Sequence, residues 1–336
     1  MGVVLAPALG PSIGGVLLDF WGWRSIFFMV VPLCVLAFAL SLRCVPNLTP
    51  DGARPGQGGA GAPLDWRGLA LAGLGTLALL HGMVGLHGGQ TAQAALLIGA
   101  AVVLWAGFLL WQQRQRQRGG TPLLNLAVFQ HRTFALGCVV AFIYGAALFG
   151  STYLLPVYMM LGLGLSPTHV GTVLLPAGLV LAAVIPIGGR QADRRPPGQL
   201  IMLGLLLLGL SFAMMPMLGL GSGVVALGAL TLLGRIGLGF ILPALNLGAM
   251  RALDKPQIPQ GASVINFVRM LGGAIGVSLC GILLEWRALA RGQSLTAPTH
   301  TLDRLRAFDD VFLVLAALCV CAMLAAWRMR TPTARA

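Results

Sequence analysis

The chain has 336 residues, of which 57% are apolar and only 9% charged, and its mean hydropathy is +0.87. An ordinary soluble domain is roughly a quarter charged, so a large soluble enzyme, a disordered chain and a disulfide scaffold are excluded, and an all-α polytopic membrane protein is expected. The net charge of +13 fits either a nucleic-acid footprint or the cytoplasmic loops of a membrane protein, and the placement of the cations decides between them.

A membrane-crossing helix needs about 20 largely apolar residues. Ten such runs occur, at 3–18, 25–42, 68–86, 94–111, 134–161, 170–188, 200–218, 224–248, 262–284 and 311–327. The first follows Met1 with no basic segment ahead of it and carries Gly10-Pro11 in its middle. That is the pattern of an internal helix rather than a secretory signal. Its Gly10, Pro11, Gly14 and Gly15 combine a small-xxx-small pair with a helix-kinking proline. In lipid, small residues that let backbones approach closely mark packing faces. Residues 50–63 read as a flexible linker from their Gly, Pro and Ala content. The run Gln112 to Gly120 is a basic connector, either a phosphate site or a topology anchor.

The run 134–161 carries Phe142, Tyr144, Phe149 and Tyr153, spaced over adjoining faces of one helix. They suit a bulky apolar ligand or ordinary core packing. The next run leads into Gly188-Gly189-Arg190-Gln191-Ala192-Asp193-Arg194-Arg195. Asp193, with Arg190 and Arg194, forms either a latch to neighbouring helix ends or a tight basic turn. Within 224–248 lie Arg235 and Asn246, and within 262–284 lie Asn266, Arg269 and the triplet Gly272, Gly273 and Gly276. Arg235 stands about 16 Å from one end of its run and about 20 Å from the other. An intramembrane arginine costs several kcal/mol, which makes it a functional candidate by default. Arg269 is about 12 Å from its nearer end, where snorkelling competes with a role in a wet cavity. Proline in mid-run, as at Pro32, Pro156, Pro176, Pro186, Pro216 and Pro243, fits bent helices that line a cavity.

Ten crossings put both termini on one side. Fifteen of the 22 cationic residues fall in loops on that side, and five fall opposite: Arg24, Arg287, Arg291, Arg304 and Arg306. Arg235 and Arg269 lie within runs. The bias places both termini in the cytoplasm and removes nucleic acid as a partner. All nine carboxylates fall in loops or at run ends, whereas a proton-driven transporter normally carries one in mid-membrane. The six cysteines include no CxxC pair, and the five histidines offer no metal spacing. No metal, cofactor or enzymatic motif is expected.

Taken together, the stretch Ala6 to Gly15 followed by Trp23-Arg24-Ser25-Ile26-Phe27-Phe28 resembles the antiporter signature of the major facilitator superfamily, on the fifth helix and the turn to the sixth. Gly261 to Gly276 is similar to the penultimate helix of the fourteen-span drug:proton antiporters of the EmrB/QacA type. Gly234 to Gly239 and the loop Gly188 to Arg195 fit the same family. The resemblance implies that residues 1–45 are the last two helices of an N-terminal bundle and 46–118 a cytoplasmic linker and extra hairpin. Residues 119–330 would be a C-terminal six-helix bundle, and 331–336 a cytoplasmic tail. The first four helices of the family, and with them its usual coupling carboxylates, have no counterpart here. The implied function is export of amphipathic drugs or metabolites by proton antiport across the inner membrane, from an N-terminally short chain. Alternatives are a non-transporting remnant, a half-transporter needing a partner, or a metabolite facilitator. Tyr144, Phe149, Arg235, Asn246, Asn266 and Arg269 would line the cavity. The expected partners are the bilayer, a small amphipathic substrate, protons and a periplasmic adaptor protein.

Overall fold

The computed structural model describes residues 2–44, 65–87, 91–118, 124, 126–219, 223–293 and 301–329. The linker read at 50–63 lies outside them. The described residues form ten α-helices and short 3-10 and π turns, without strands: α1 (Gly2–Trp21), α2 (Trp23–Cys44), α3 (Trp66–His87), α4 (Thr91–Gln117), α5 (Arg132–Val157), α6 (Pro167–Arg194), α7 (Pro197–Met214), α8 (Val224–Met250), α9 (Ile258–Ala290) and α10 (Leu302–Arg328). Among the described residues, nine helices, α2 to α10, are long and apolar enough to cross a membrane.

The turn between α1 and α2 is a single residue. Gly22 adopts φ +75°, the left-handed conformation that glycine takes without a steric cost. Its N–H donates to the Leu18 carbonyl at 3.1 Å, and the Ser25 hydroxyl donates to the Gly22 carbonyl at 2.6 Å. The helix ends are capped as their sequences prescribe. Ser166 accepts from His169 N–H ahead of Pro167 at the start of α6, and Thr301 accepts from Arg304 N–H at the start of α10.

Two boundaries differ from the apolar runs. α4 continues to Gln117, so the connector beginning at Gln112 is largely helical, and Gln112 itself is buried. α10 begins nine residues ahead of its run, at Leu302. Its first three turns are amphipathic, burying Leu305 and Phe308 beside Arg304 while Asp303 and Arg306 stay exposed. A window that scores only hydrophobicity ends at such a segment.

Helix α5 packs against α9, α10 and α8, while α6 and α7 pack on α8 and α7 also on α10. These six helices share one continuous core. Helix α1 packs along α6, α2 touches α1, and the hairpin α3–α4 leans on α9 through α3. Glycine sets the tightest crossings. A Cβ on Gly276 of α9 would lie 2.5 Å from the Ala146 Cα of α5. Gly272 faces the Phe142 backbone and Gly145 faces the Arg269 backbone. Between α7 and α8 the contact is reciprocal: a Cβ on Gly204 or Gly237 would come within 2.6 or 2.5 Å of the other's carbonyl oxygen. Gly188 meets the Gly239 carbonyl in the same way between α6 and α8. Between helices solvated by lipid, such backbone contact is the main source of attraction.

Candidate functional site

The two intramembrane arginines have different partners. Arg235, halfway along α8, donates from Nη1 to the Thr152 hydroxyl of α5 at 3.4 Å. That hydroxyl in turn donates to the Leu148 carbonyl at 2.7 Å, so its lone pairs are left for the guanidinium. Arg269 of α9 donates from Nη2 to the Asn266 Oδ1 at 2.6 Å, one turn back on its own helix. Among the described residues, the ion pairs all lie at the ends of α9 and α10: Arg291 and Arg287 with Asp310 at 2.7 and 3.4 Å, and Arg306 with Asp303 at 3.2 Å. None includes Arg235 or Arg269.

The other sequence candidates separate. Tyr144 is fully buried, and its ring belongs to the core. Phe149 is half-buried, with its ring lying over Gly273. Asn266 is exposed beside Arg269, whereas Asn246 is exposed lower on α8 with no side-chain hydrogen bond among the described residues. Gly272, Gly273 and Gly276 form the face of α9 that α5 occupies. On α1, Gly15 meets the Pro167 carbonyl of α6, where a Cβ would lie 2.5 Å away, while Gly10 and Gly14 face no described atom within 4 Å. Pro11 lies within the helix between them. Arg190, Asp193 and Arg194 are all exposed at the end of α6, and Asp193 has no ion pair among the described residues. Tyr153, with Met83, Val84, Val277 and Ser278, borders an apolar cavity of about 180 Å³ between α3 and the bundle.

Three polar junctions were not singled out from sequence. Asp19, near the end of α1, accepts from the Thr168 N–H of α6 at 2.9 Å and from the Thr168 hydroxyl. A carboxylate there completes the cap of α6 and meets the positive end of its dipole. Asp65 caps α3 through Gly68 N–H at 2.9 Å and ties it to α4 by accepting from Trp111 Nε1 at 2.9 Å and Gln112 Nε2 at 2.8 Å. The Arg67 guanidinium lies over the Trp111 ring, 5.3 Å from its centroid. Arg304, buried at 1% exposure, donates to the Leu161 carbonyl at 3.0 Å, joining α10 to the π turn that ends α5. Each cap residue is visible locally, since Asp-x-x-Gly and Ser-Pro-Thr are helix-start patterns. The partner 46 or 149 residues away is not.

The fold therefore defines a multi-pass helical membrane protein with two arginines, Arg235 and Arg269, inside its apolar helices α8 and α9. The family model of the Major Facilitator Superfamily matches residues 1–277, and the chain belongs to that superfamily. It is 29% identical over 301 residues to a multidrug resistance protein B homolog of Mycobacterium tuberculosis, covering 85% of this chain and 52% of that protein. It is 24% identical over 281 residues to the lincomycin resistance protein LmrB of Listeria innocua, covering 82% and 57%. A probable actinorhodin transporter of Streptomyces coelicolor is 28% identical over 289 residues, covering 83% and 48%. The chain thus spans about half the length of the curated relatives it matches.

Proposed function

We propose that this chain is the larger part of a fourteen-span drug:proton antiporter that exports amphipathic compounds across the inner membrane. In this reading α1 and α2 close an N-terminal bundle, α3 and α4 are the extra hairpin, and α5–α10 are the C-terminal bundle. Four further helices precede α1 in the working protein, whose native mass then exceeds 35.0 kDa. Both termini face the cytoplasm, in keeping with the three-to-one placement of cations. Similarity to proteins named for multidrug and lincomycin resistance supports the substrate class. The packing of α1 on α6 supports an interface between two bundles that rock about a midplane site.

The observation that carries the reading is Arg235, held half-buried at mid-depth with a hydroxyl as its only partner among the described residues. A purely structural helix bundle has no use for a charge there. A passive metabolite facilitator is the second reading, favoured by the placement of every described carboxylate outside the helices or within the first or last three turns of one. Dye export from energised cells lacking other pumps separates them. The antiport reading expects export against a gradient that stops when the proton gradient is collapsed, and downhill flux insensitive to collapse would establish the facilitator instead.

A further inference from the structure

We propose that Arg67, Arg114 and Arg118, at the base of the α3–α4 hairpin, bind the headgroup of an anionic phospholipid. The site goes beyond the transport reading and needs no transport activity; in that reading the lipid belongs to the cytoplasmic leaflet.

Helix α4 outlasts its apolar run and ends at Gln117, and the Arg118 N–H still donates to the Arg114 carbonyl at 3.1 Å. Trp111, Arg114 and Arg118 therefore stand at i, i+3 and i+7 on one face of a continuous helix. The Arg67 guanidinium of α3 joins them there, 5.3 Å from the centroid of the Trp111 ring. Arg114 and Arg118 lie about 5 and 10 Å past Trp111 along the axis, within the headgroup layer that begins where the hydrocarbon ends. Both are exposed, and side chains on a helix lean toward its N-terminus, here back toward the bilayer. Trp66, 70% exposed, opens α3 at the same end, the place of interfacial aromatics. Residues 65–118 hold four arginines against one carboxylate, Asp65. That carboxylate is buried and accepts from the Gly68 N–H, Trp111 and Gln112 within the hairpin. Among the described residues no ion pair includes Arg67, Arg114 or Arg118, so their planar donor forks are open to phosphate oxygens. The same bonds to Asp65 hold Trp111 and Gln112 in place, and the Gln112 Oε1 accepts from the Leu124 N–H at 3.2 Å, which ties the base to the chain entering α5. Membrane topology asks only that cations lie on one side. It does not ask for three of them around one tryptophan on a fixed helix end, the arrangement that attracts anionic lipid beside a membrane-crossing helix.

The test is native mass spectrometry of the native full-length protein released from nanodiscs of equal phosphatidylglycerol and phosphatidylcholine, counting the lipid it retains. Wild type is expected to retain phosphatidylglycerol at least tenfold over phosphatidylcholine. Arg114→Gln alone should lower that preference about fivefold, the share of one basic side chain at an anionic surface. Arg67→Gln, Arg114→Gln and Arg118→Gln together should bring it near unity, and lysine at the same three positions should keep most of it. A control removes as much charge elsewhere: Arg251→Gln, Lys255→Gln and Arg328→Gln together, at exposed cations of the six-helix bundle, should leave the preference within about twofold. Equal retention of the two lipids by wild type overturns the site, and this comparison needs no variant to fold. An equal fall in the two triple glutamine variants also overturns it, because the preference then belongs to diffuse surface charge. Displacement of phosphatidylglycerol by millimolar inorganic phosphate overturns the lipid as ligand and assigns the arginines to a free anion. Dye export, measured separately, decides the transport reading alone.

Discussion

Arg304 and Arg306 sit two residues apart on α10 and illustrate how environment sets the worth of a charge. Arg304 is 1% exposed and satisfies the Leu161 carbonyl across the bundle. The Arg306 side chain is 67% exposed and, among the described residues, pairs only with Asp303 on its own helix. Arg304→Ala should remove a charged hydrogen bond and leave a cavity, costing about 2–4 kcal/mol. Arg306→Ala should cost under about 0.5 kcal/mol. Thermal unfolding in detergent checks this, and similar midpoints for the two variants would contradict it. Asp19 is a second case. Its bonds to Thr168 predict that Asp19→Ala and Thr168→Val are non-additive by about 1 kcal/mol in a double-mutant cycle. Additive effects would mean that the contact contributes nothing.

At the scale of helices, the close crossings decide which glycines are irreplaceable. Gly276→Val and Gly237→Val place branched side chains where a single Cβ would already lie 2.5 Å from a backbone atom. The helices must separate, at about 1–3 kcal/mol or more each. Gly99 of α4 has no atom within 4 Å of its Cβ position, and Gly99→Ala should stabilise by up to about 1 kcal/mol. Yield of folded protein on size exclusion gives the ranking. A Gly276 variant as well behaved as Gly99→Ala would remove the glycine crossing from the account. The sequence made these crossings legible only in part. Gly272 and Gly276 stand out by spacing, but many of the chain's 47 glycines share such spacing, and only the fold shows which face a helix. The amphipathic start of α10 was hidden for the opposite reason, because its buried and exposed residues cancel in a hydropathy window.

For the whole molecule, composition alone carried the class and the approximate positions of the ten helices, since lipid solvation leaves the chain few alternatives to apolar helices. The site was legible one residue at a time: an arginine or asparagine in an apolar run is conspicuous wherever it falls. Their partners were not. That Arg235 reaches Thr152 of α5, that Arg269 turns back to Asn266, and that Asn246 stands apart from them depends on the rotation of α8 and α9 about their axes. That rotation is set by the glycine faces Gly234, Gly237 and Gly239 on one helix and Gly272, Gly273 and Gly276 on the other. Asp193, read as a latch, is exposed and without an ion pair among the described residues, whereas Asp19 at the opposite end of α6 is bonded.

In the proposed function the arginine halfway along α8 serves transport rather than assembly. The most direct measurement is dye export by the native protein and its Arg235→Ala variant in energised membrane vesicles, at matched membrane abundance. The variant is expected to insert and fold at wild-type levels while export falls at least tenfold, the loss of one charged interaction in the site. Export at the wild-type rate would contradict it and return Arg235 to a structural role.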